Sequence, residues 1–220
     1  MELSNNIKKI ISFLCVFALL FSAIAVLPNF SFEADAASKK SQALKAYKKF
    51  LVRESKYGES YTFDGVEGKA RFTIIYLDNN NVPELVLQQG GCYSLYIFKK
   101  GRVVETDIKM MYSLDERFHY CPKRGIYTHV YARLGNVAEA YLKLSGTNSF
   151  FKVSEVSLMG SSDDPNDYPP PKHYKATKKG SKQVSKKVFK TTLKKLTKGK
   201  SFKVAKFYTN TKRNRKSILK

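Results

Sequence analysis

Hydrophobic residues follow two different periodicities along the chain. In the first part, Leu44, Tyr47 and Leu51 recur at spacings of three and four, the repeat of a helix with one apolar face. This pattern predicts a helix over about residues 41–55, with Ser41 as its amino-terminal cap. Farther along, short runs of β-branched and aromatic residues alternate with turn signals and predict about eight strands: RFTIIYL, ELVLQQ, CYSLYIFK, RVVETDI, RFHYC, IYTHVYA, VAEAYLKL and SFFKVSEVSL.

The segments between the predicted strands are short and rich in glycine, asparagine and proline: DNNNVP, GG, KKG, CPKRG, LGN and SGTN. Such connectors favour tight antiparallel hairpins, with Gly101, Gly125 and Gly146 at the turns. The sequence therefore predicts a mainly β protein of the α+β class. In this fold an antiparallel β-meander is covered on one face by the amino-terminal helix.

Positive charge is concentrated at the carboxyl end of the 220-residue chain. The whole chain carries 40 lysines and arginines against 18 aspartates and glutamates, a formal charge of +22. Residues 172–220 contain 19 basic residues and no acidic residue, whereas residues 37–171 contain 19 basic and 15 acidic residues. Because a strongly basic surface attracts polyanions of any sequence, the carboxyl end is the main functional candidate.

A proline-rich segment precedes this basic end. The sequence SSDDPNDYPPP at residues 161–171 is predicted to be a linker, because consecutive prolines favour extended polyproline II backbone. It would separate a helix plus β-meander domain (37–160) from a small basic strand–helix subdomain (172–208). The last residues, 209–220, are predicted to be a flexible basic tail.

The basic subdomain is predicted to contain a helix between two strands, HYKA and SFKVAKFY. Ser185 is expected to cap the helix at its amino end. One apolar stripe of the helix would face the protein: Val188, Phe189, Thr192, Leu193 and Leu196. The lysines that crowd its other faces and the following loop are the candidate polyanion contacts: Lys186, Lys187, Lys190, Lys194, Lys195, Lys198 and Lys200.

The amino terminus has the pattern of a signal peptide. Met1 to Lys9 is short and basic, Ile10 to Leu27 is apolar, and Ala34-Asp35-Ala36 supplies the small residues that signal peptidase requires. We expect cleavage after Ala36, which makes residues 1–36 the leader and leaves no permanent transmembrane anchor. The alternative is a retained anchor, because about 18 apolar residues can span a bilayer.

The stretch FTIIYLDNNNVPELVLQQ carries a resemblance to a known group. It resembles the D-x-D-x-D-G-x-P-E-L unit of uncharacterised secreted proteins of Gram-positive bacteria, and the order of parts is similar across nearly the whole mature chain, including the G-x-x-V-S-K-K-x-F helix. The loop is also similar to the calcium loops of FG-GAP and integrin-type propeller repeats. The resemblance implies secretion from a Gram-positive bacterium and a β-rich body, and it implies no activity.

The resemblance also implies a weak calcium site in this loop. Tyr76 occupies the first ligand position, where it replaces a carboxylate, and Asn81 occupies the position of a glycine that needs positive φ. The remaining ligands would be Asp78, Asn80, the Val82 carbonyl and Glu84. Since calcium takes six to eight oxygens, we expect low affinity. The alternative is an asparagine-rich turn whose side chains bond their own backbone.

Two cysteines follow the leader, Cys92 and Cys121. In an exported chain an even number of cysteines favours a disulfide, which is the expectation for this pair. A second possibility is two buried free thiols. A third is a thiol nucleophile at Cys92 with His119 or His129 as its base, although no local signature of a cysteine peptidase surrounds it.

These observations favour a secreted, non-enzymatic binding module. Its expected partners are anionic polymers of the cell envelope or extracellular space, wall teichoic acid or the anionic membrane face, with no specific nucleic acid. A secreted hydrolase that uses Cys92 or an acidic pair is the rival hypothesis, although no H-E-x-x-H, G-x-S-x-G or phosphate loop occurs. The sequence is also consistent with a protein-interaction domain presented by the aromatic hairpins, and with a solvated cationic face that has no ligand.

Overall fold

Two antiparallel β-sheets form the protein, with helices at its two ends. The computed structural model describes residues 38–54, 70–89, 92–107, 111–112, 117–133, 136–158 and 169–220. The helices are α1 (38–54), α2 (Lys186–Thr197) and α3 (Lys212–Ile218). The strands are β1 (Arg71–Ile75), β2 (Glu84–Gln89), β3 (Cys92–Lys99), β4 (Arg102–Glu105), β5 (Met111–Tyr112), β6 (His119–Cys121), β7 (Ile126–Arg133), β8 (Asn136–Ser145), β9 (Asn148–Leu158), β10 (Lys172–Thr177), β11 (Gly180–Val184), β12 (Lys203–Val204) and β13 (Tyr208–Thr209).

The strands divide into two meanders. The first sheet has the order β13-β1-β2-β3-β4, and β5 also pairs with β3. The second sheet has the order β11-β10-β9-β8-β7-β6-β12. The predicted mainly β fold, its hairpins and its amino-terminal helix are confirmed. The division into two sheets, which falls between β5 and β6, was not predicted.

Helix α1 covers the outer face of the first sheet. Tyr47 and Leu51 are fully buried against Phe72, Leu85 and Leu87. The predicted cap is wrong: the residue at position 41 lies inside the helix, which already includes residue 38. No glycine or proline stands between residues 38 and 41 to interrupt the helix.

The core between the two sheets is rich in aromatic residues. Val86, Tyr93 and Leu95 of the first sheet pack with Phe118 and Tyr127 of the second. Strand β2 is buried on both faces, because alternate side chains point to opposite sides of a strand. Its position between α1 and the second sheet explains why three consecutive residues of the strand, Leu85, Val86 and Leu87, are apolar.

The predicted hairpin turns contain the expected glycines. Gly101, Gly125 and Gly146 have φ angles of 77°, 68° and 62°, in the left-handed region that favours glycine. Gly125 is also restricted by space, because a Cβ atom there would lie 3.2 Å from the carbonyl oxygen of Leu144. A side chain at this position would therefore force the β6–β7 turn away from β8.

The basic carboxyl end forms the predicted strand–helix unit and belongs to both sheets. Strand β10 pairs with β9, and β12 pairs with β6 of the second sheet. Strand β13 then pairs with β1 of the first sheet. The prediction of a flexible tail at residues 209–220 is wrong, because residues 212–218 form α3 and Leu219 packs into the cluster beneath α1.

Two further predicted segments fall wholly or largely outside the described residues. These are the signal peptide at residues 1–36 and most of the linker at residues 161–171. Among the helices that the structure describes, none has the length and apolar character needed to cross a membrane.

Candidate functional site

Helix α2 is fixed on the outer face of the second sheet. Its cap is the predicted one: the Val188 N–H donates to the Ser185 hydroxyl oxygen at 3.3 Å. Phe189 is the buried anchor, with its ring centroid 4.8 Å from His173 and 5.8 Å from Tyr141. Because the helix is held along its apolar face, its polar faces keep a defined position relative to the sheet.

The carboxyl end of α2 is held by the turn between β6 and β7. The Arg124 Nε–H donates to the carbonyl oxygen of Leu196 at 3.3 Å. Just beyond the helix, the Cys121 thiol donates to the carbonyl oxygen of Lys200 at 3.8 Å. The positive charge of Arg124 near the last turn also interacts favourably with the negative end of the helix dipole. Both ends of the helix are therefore anchored.

The predicted polyanion contacts lie together on this helix and the loop after it. All seven are exposed: Lys186, Lys187, Lys190, Lys194, Lys195, Lys198 and Lys200. Among the described residues, none of the seven lysines takes part in an ion pair. The lysines on and just after α2 therefore form an exposed cluster of positive charge in which no described carboxylate makes an ion pair with a lysine.

The structure adds two lysines that the sequence analysis missed. Lys175 and Lys182 are direct cross-strand partners in the β10–β11 hairpin. Since Lys175 lies two residues after His173, it shares the sheet face on which Phe189 of α2 packs. Like charges directly opposite each other are unfavourable within a hairpin, and this pair adds two lysines to the basic end beside α2. The two-residue turn between β10 and β11 was the signal that could have revealed the register.

The loop from Tyr76 to Glu84 is closed by its own side chains. The Asn80 N–H donates to Asp78 Oδ1 at 3.0 Å, and the Asn80 amide donates to Asp78 Oδ2 at 2.8 Å. The Val82 N–H donates to Asn80 Oδ1 at 2.7 Å. Asn81 has the expected positive φ, 60°. These hydrogen bonds are the ones expected of an asparagine-rich turn whose side chains bond their own backbone, which was the alternative to a calcium site.

Glu84 is a buried carboxyl group at the end of this loop. It is only 2% exposed, and its Oε2 accepts a hydrogen bond from the Leu77 N–H at 2.7 Å. Burial, followed by the negative charge of Asp78, raises the pKa of Glu84 from 4.5 to about 8. Burial also raises the pKa of Asp78. Asp78 and Glu84 thus lie close together, and the pKa of each carboxyl group is raised, which favours its neutral form.

The predicted calcium ligands partly fit a cation site. Asp78, Asn80, Val82 and Glu84 line one pocket of about 190 Å³, together with Lys99 among others. Positive charge surrounds the loop, since Lys40 Nζ lies 5.7 Å from the centre of the Tyr76 ring and Lys123 Nζ donates to Asn81 Oδ1 at 3.4 Å. Within the described residues, no group of three or more His, Cys, Asp or Glu side chains is arranged to hold a metal. The donor set is therefore small for calcium, which takes six to eight oxygens.

The two cysteines lie in different sheets. Cys92 begins β3 and Cys121 ends β6, and both are buried cysteines that take no part in a disulfide. The expected disulfide is therefore not formed in this structure, and the arrangement is that of two buried thiols. Burial raises the pKa of the Cys121 thiol, although Arg124 and Lys200 act against this effect.

An acidic pair that the sequence did not reveal lies beside α2. Glu139 on β8 is the direct cross-strand partner of Glu155 on β9. Glu155 Oε2 lies 2.9 Å from His173 Nε2, and burial followed by the charge of Glu139 raises the pKa of Tyr141. The β8–β9 register brings the two carboxylates together, and their separation of 16 positions in the sequence gives no motif.

The aromatic residues of the hairpins are largely structural. Tyr93, Phe118 and Tyr127 form the core between the sheets. Tyr131 and Phe150 are exposed, at 38% and 47%, and Lys152 Nζ lies 5.5 Å from the centre of the Phe150 ring. The described hairpins therefore place most of their aromatic surface inside the protein.

Comparison with known proteins gives a weak structural likeness. No protein-family model matches the chain, and no curated protein matches it. A solved structure described as "Structure of a Xanthomonas Type IV Secretion System related protein" is similar, with 14% sequence identity and a TM-score of 0.40. The match covers 52% of this chain and 57% of that chain, so the chain spans little more than half the length of that protein.

Proposed function

We propose that the protein is a secreted, non-enzymatic module that binds anionic polymers of the cell envelope through its basic carboxyl end. One observation carries the proposal: seven exposed lysines share a folded surface on which no carboxylate of the described residues pairs with them. Such a surface attracts polyanions by releasing their counterions. The leader-like amino terminus supports a location outside the cell, where wall teichoic acid is the abundant polyanion.

Deletion of residues 172–220 is unsuitable as a test, because it would remove strands from both sheets. The test therefore uses the full mature chain and a variant in which all seven lysines are glutamine. Both are mixed with purified Gram-positive cell walls before and after chemical removal of teichoic acid. We expect walls with teichoic acid to retain the wild type and release the variant. Equal retention of the two proteins, or retention that survives removal of teichoic acid, contradicts the proposal.

Secretion has its own test. We propose cleavage after Ala36, so the exported protein begins at Ala37. Expression in a Gram-positive host and sequencing of the amino terminus of the protein found outside the membrane measure this directly. A protein that keeps Met1 and sediments with the membrane would instead support the retained anchor.

Weak calcium binding is proposed as an accessory property of the loop. It is supported by the four oxygen-bearing residues that line one pocket, and it is opposed by the loop's own hydrogen bonds and by the lysines around it. Affinity at the millimolar end expected of extracellular modules would be consistent with this balance.

A further inference from the structure

The lysines of α2 form a row whose shape restricts the kind of polyanion that fits. Lys186, Lys190 and Lys194 follow one another at intervals of four residues and are all exposed. Residues four apart lie on the same side of a helix, about 6 Å apart along its axis, so the row is about 12 Å long. Lys198 follows one interval later, at the left-handed residue that ends the helix.

The packing of α2 opposes insertion into a membrane. A helix that binds a bilayer surface buries its apolar face among the lipids. In α2 that face is already used, because Phe189 is buried and contacts His173 and Tyr141 of the second sheet. Among the residues described for α2, Val188 is the one large apolar side chain that is exposed, and a single valine contributes little to membrane binding. Contact with a membrane would therefore rest on charge alone.

The packing also opposes recognition of nucleic-acid bases. Proteins that hold single strands stack the bases on exposed aromatic rings. The aromatic rings nearest the lysine row contact one another instead: Phe189 and Phe202 both pack edge-on against Tyr141, at 5.8 and 5.5 Å. Because these rings already pack against Tyr141, the lysine row is better suited to a phosphate polymer without bases than to a single strand whose bases need stacking.

We propose that α2 binds a flexible, linear polyol-phosphate chain along its lysine row, in preference to a membrane surface or a single-stranded nucleic acid. The inference rests on the proposed function and specifies its ligand. Because both ends of α2 are anchored to the second sheet, the lysine row is ordered before the polymer binds. The protein therefore loses less conformational entropy on binding than a flexible basic segment would lose. A flexible polymer can align its successive phosphates with successive lysines.

The test compares two triple variants of the mature chain that lose the same charge. The first is K186Q/K190Q/K194Q, which removes the row. The control is K203Q/K212Q/K216Q, which removes three exposed lysines of the same basic end outside α2. Purified glycerol-phosphate teichoic acid, single-stranded oligothymidylate and vesicles of phosphatidylglycerol with phosphatidylcholine serve as probes. They are compared at equal anionic charge, and circular dichroism monitors folding.

We expect the row variant to weaken binding to teichoic acid by roughly tenfold or more, and to reduce the slope of log K against log salt by about 2. The control should weaken binding by less than about threefold, and K186R/K190R/K194R, which keeps the charge, should bind as the wild type does. Equal losses in the row variant and the control overturn the inference, because net charge alone then sets the affinity. Tighter binding to vesicles or to oligothymidylate overturns it as well. An absence of binding between the wild-type protein and teichoic acid would overturn the proposed function as well as this inference.

Discussion

The Arg124 guanidinium donates a hydrogen bond to the carbonyl oxygen of Leu196 and so ties the β6–β7 turn to the last turn of α2, at 3.3 Å. The neighbouring residue of the same turn, Gly125, donates its N–H to the carbonyl oxygen of Leu77 at 2.6 Å. The β6–β7 turn therefore contacts both α2 and the loop from Tyr76 to Glu84. The position of the lysine row relative to the sheet depends on this turn.

The first prediction concerns this bond. Replacement of Arg124 by methionine should lower the free energy of unfolding by about 1–2 kcal/mol, because a charged hydrogen bond is lost and a carbonyl at the helix end loses its partner. Amide hydrogens at residues 194–198 should exchange faster with solvent. The control is Arg53→Met on the solvent-facing side of α1, which should change stability by less than about 0.5 kcal/mol. Unchanged exchange at the end of α2 would contradict the role given to Arg124.

The second prediction concerns the pH dependence of stability. The folded protein holds a proton on Glu84 up to about pH 8, whereas the carboxyl group of the unfolded chain loses it near 4.5. Between these values the folded state binds more protons, so the free energy of unfolding should fall as pH rises, by on the order of 1 kcal/mol per pH unit. Glu84→Gln should remove most of this decline, and Glu54→Gln, on α1, should not. Denaturant unfolding from pH 5 to pH 8.5 measures it, and a wild type whose stability rises across this range would disprove the raised pKa.

The third prediction concerns calcium. Calcium at millimolar concentration should raise the melting temperature slightly at pH 8, and less at pH 6, because the ion competes with the proton on Glu84. Asp78→Asn and Glu84→Gln should each abolish the increase. Magnesium is the control ion, since it requires stricter octahedral geometry. If calcium and magnesium have equal effects, or if the variants respond like the wild type, the loop is only a hydrogen-bonded turn.

The fourth prediction concerns the thiols. Cys92 and Cys121 are both buried, so a thiol reagent should modify native mature protein slowly at either position. After denaturation without a reductant, mass spectrometry should find both cysteines alkylated. Failure to alkylate either cysteine in the denatured, unreduced protein would show that the disulfide forms in the secreted protein. Rapid modification of Cys92 alone in the native protein would instead support the hydrolase hypothesis.

Local sequence patterns predicted the elements better than their arrangement. The runs of β-branched and aromatic residues in RFTIIYL and CYSLYIFK identify β1 and β3, and Ser185 identifies the start of α2, because these signals depend on neighbouring residues. The division into two sheets was not predictable in this way. It depends on which strand edges pair with partners far along the chain, as when β13 pairs with β1.

The same distinction applies to the candidate site. The lysines of α2 were predicted correctly as a group of exposed cations, since a helical stripe leaves the remaining faces to solvent. Lys175 with Lys182 and Glu139 with Glu155 were missed, because each pair depends on strand register. The tail was predicted to be flexible from its polarity. The buried Arg215, which donates to Asn210 Oδ1 at 2.7 Å, and the buried Leu219 hold it in place.

The central claim is that the lysines on and after α2 bind an anionic polymer. The most direct measurement is the affinity of mature protein for purified teichoic acid across a salt series. If all seven lysines contact phosphates, log K should fall with log salt with a slope of about −5 for the wild type and close to zero for the variant with seven glutamines. Binding that does not depend on salt, or an equal slope for the two proteins, would contradict the account.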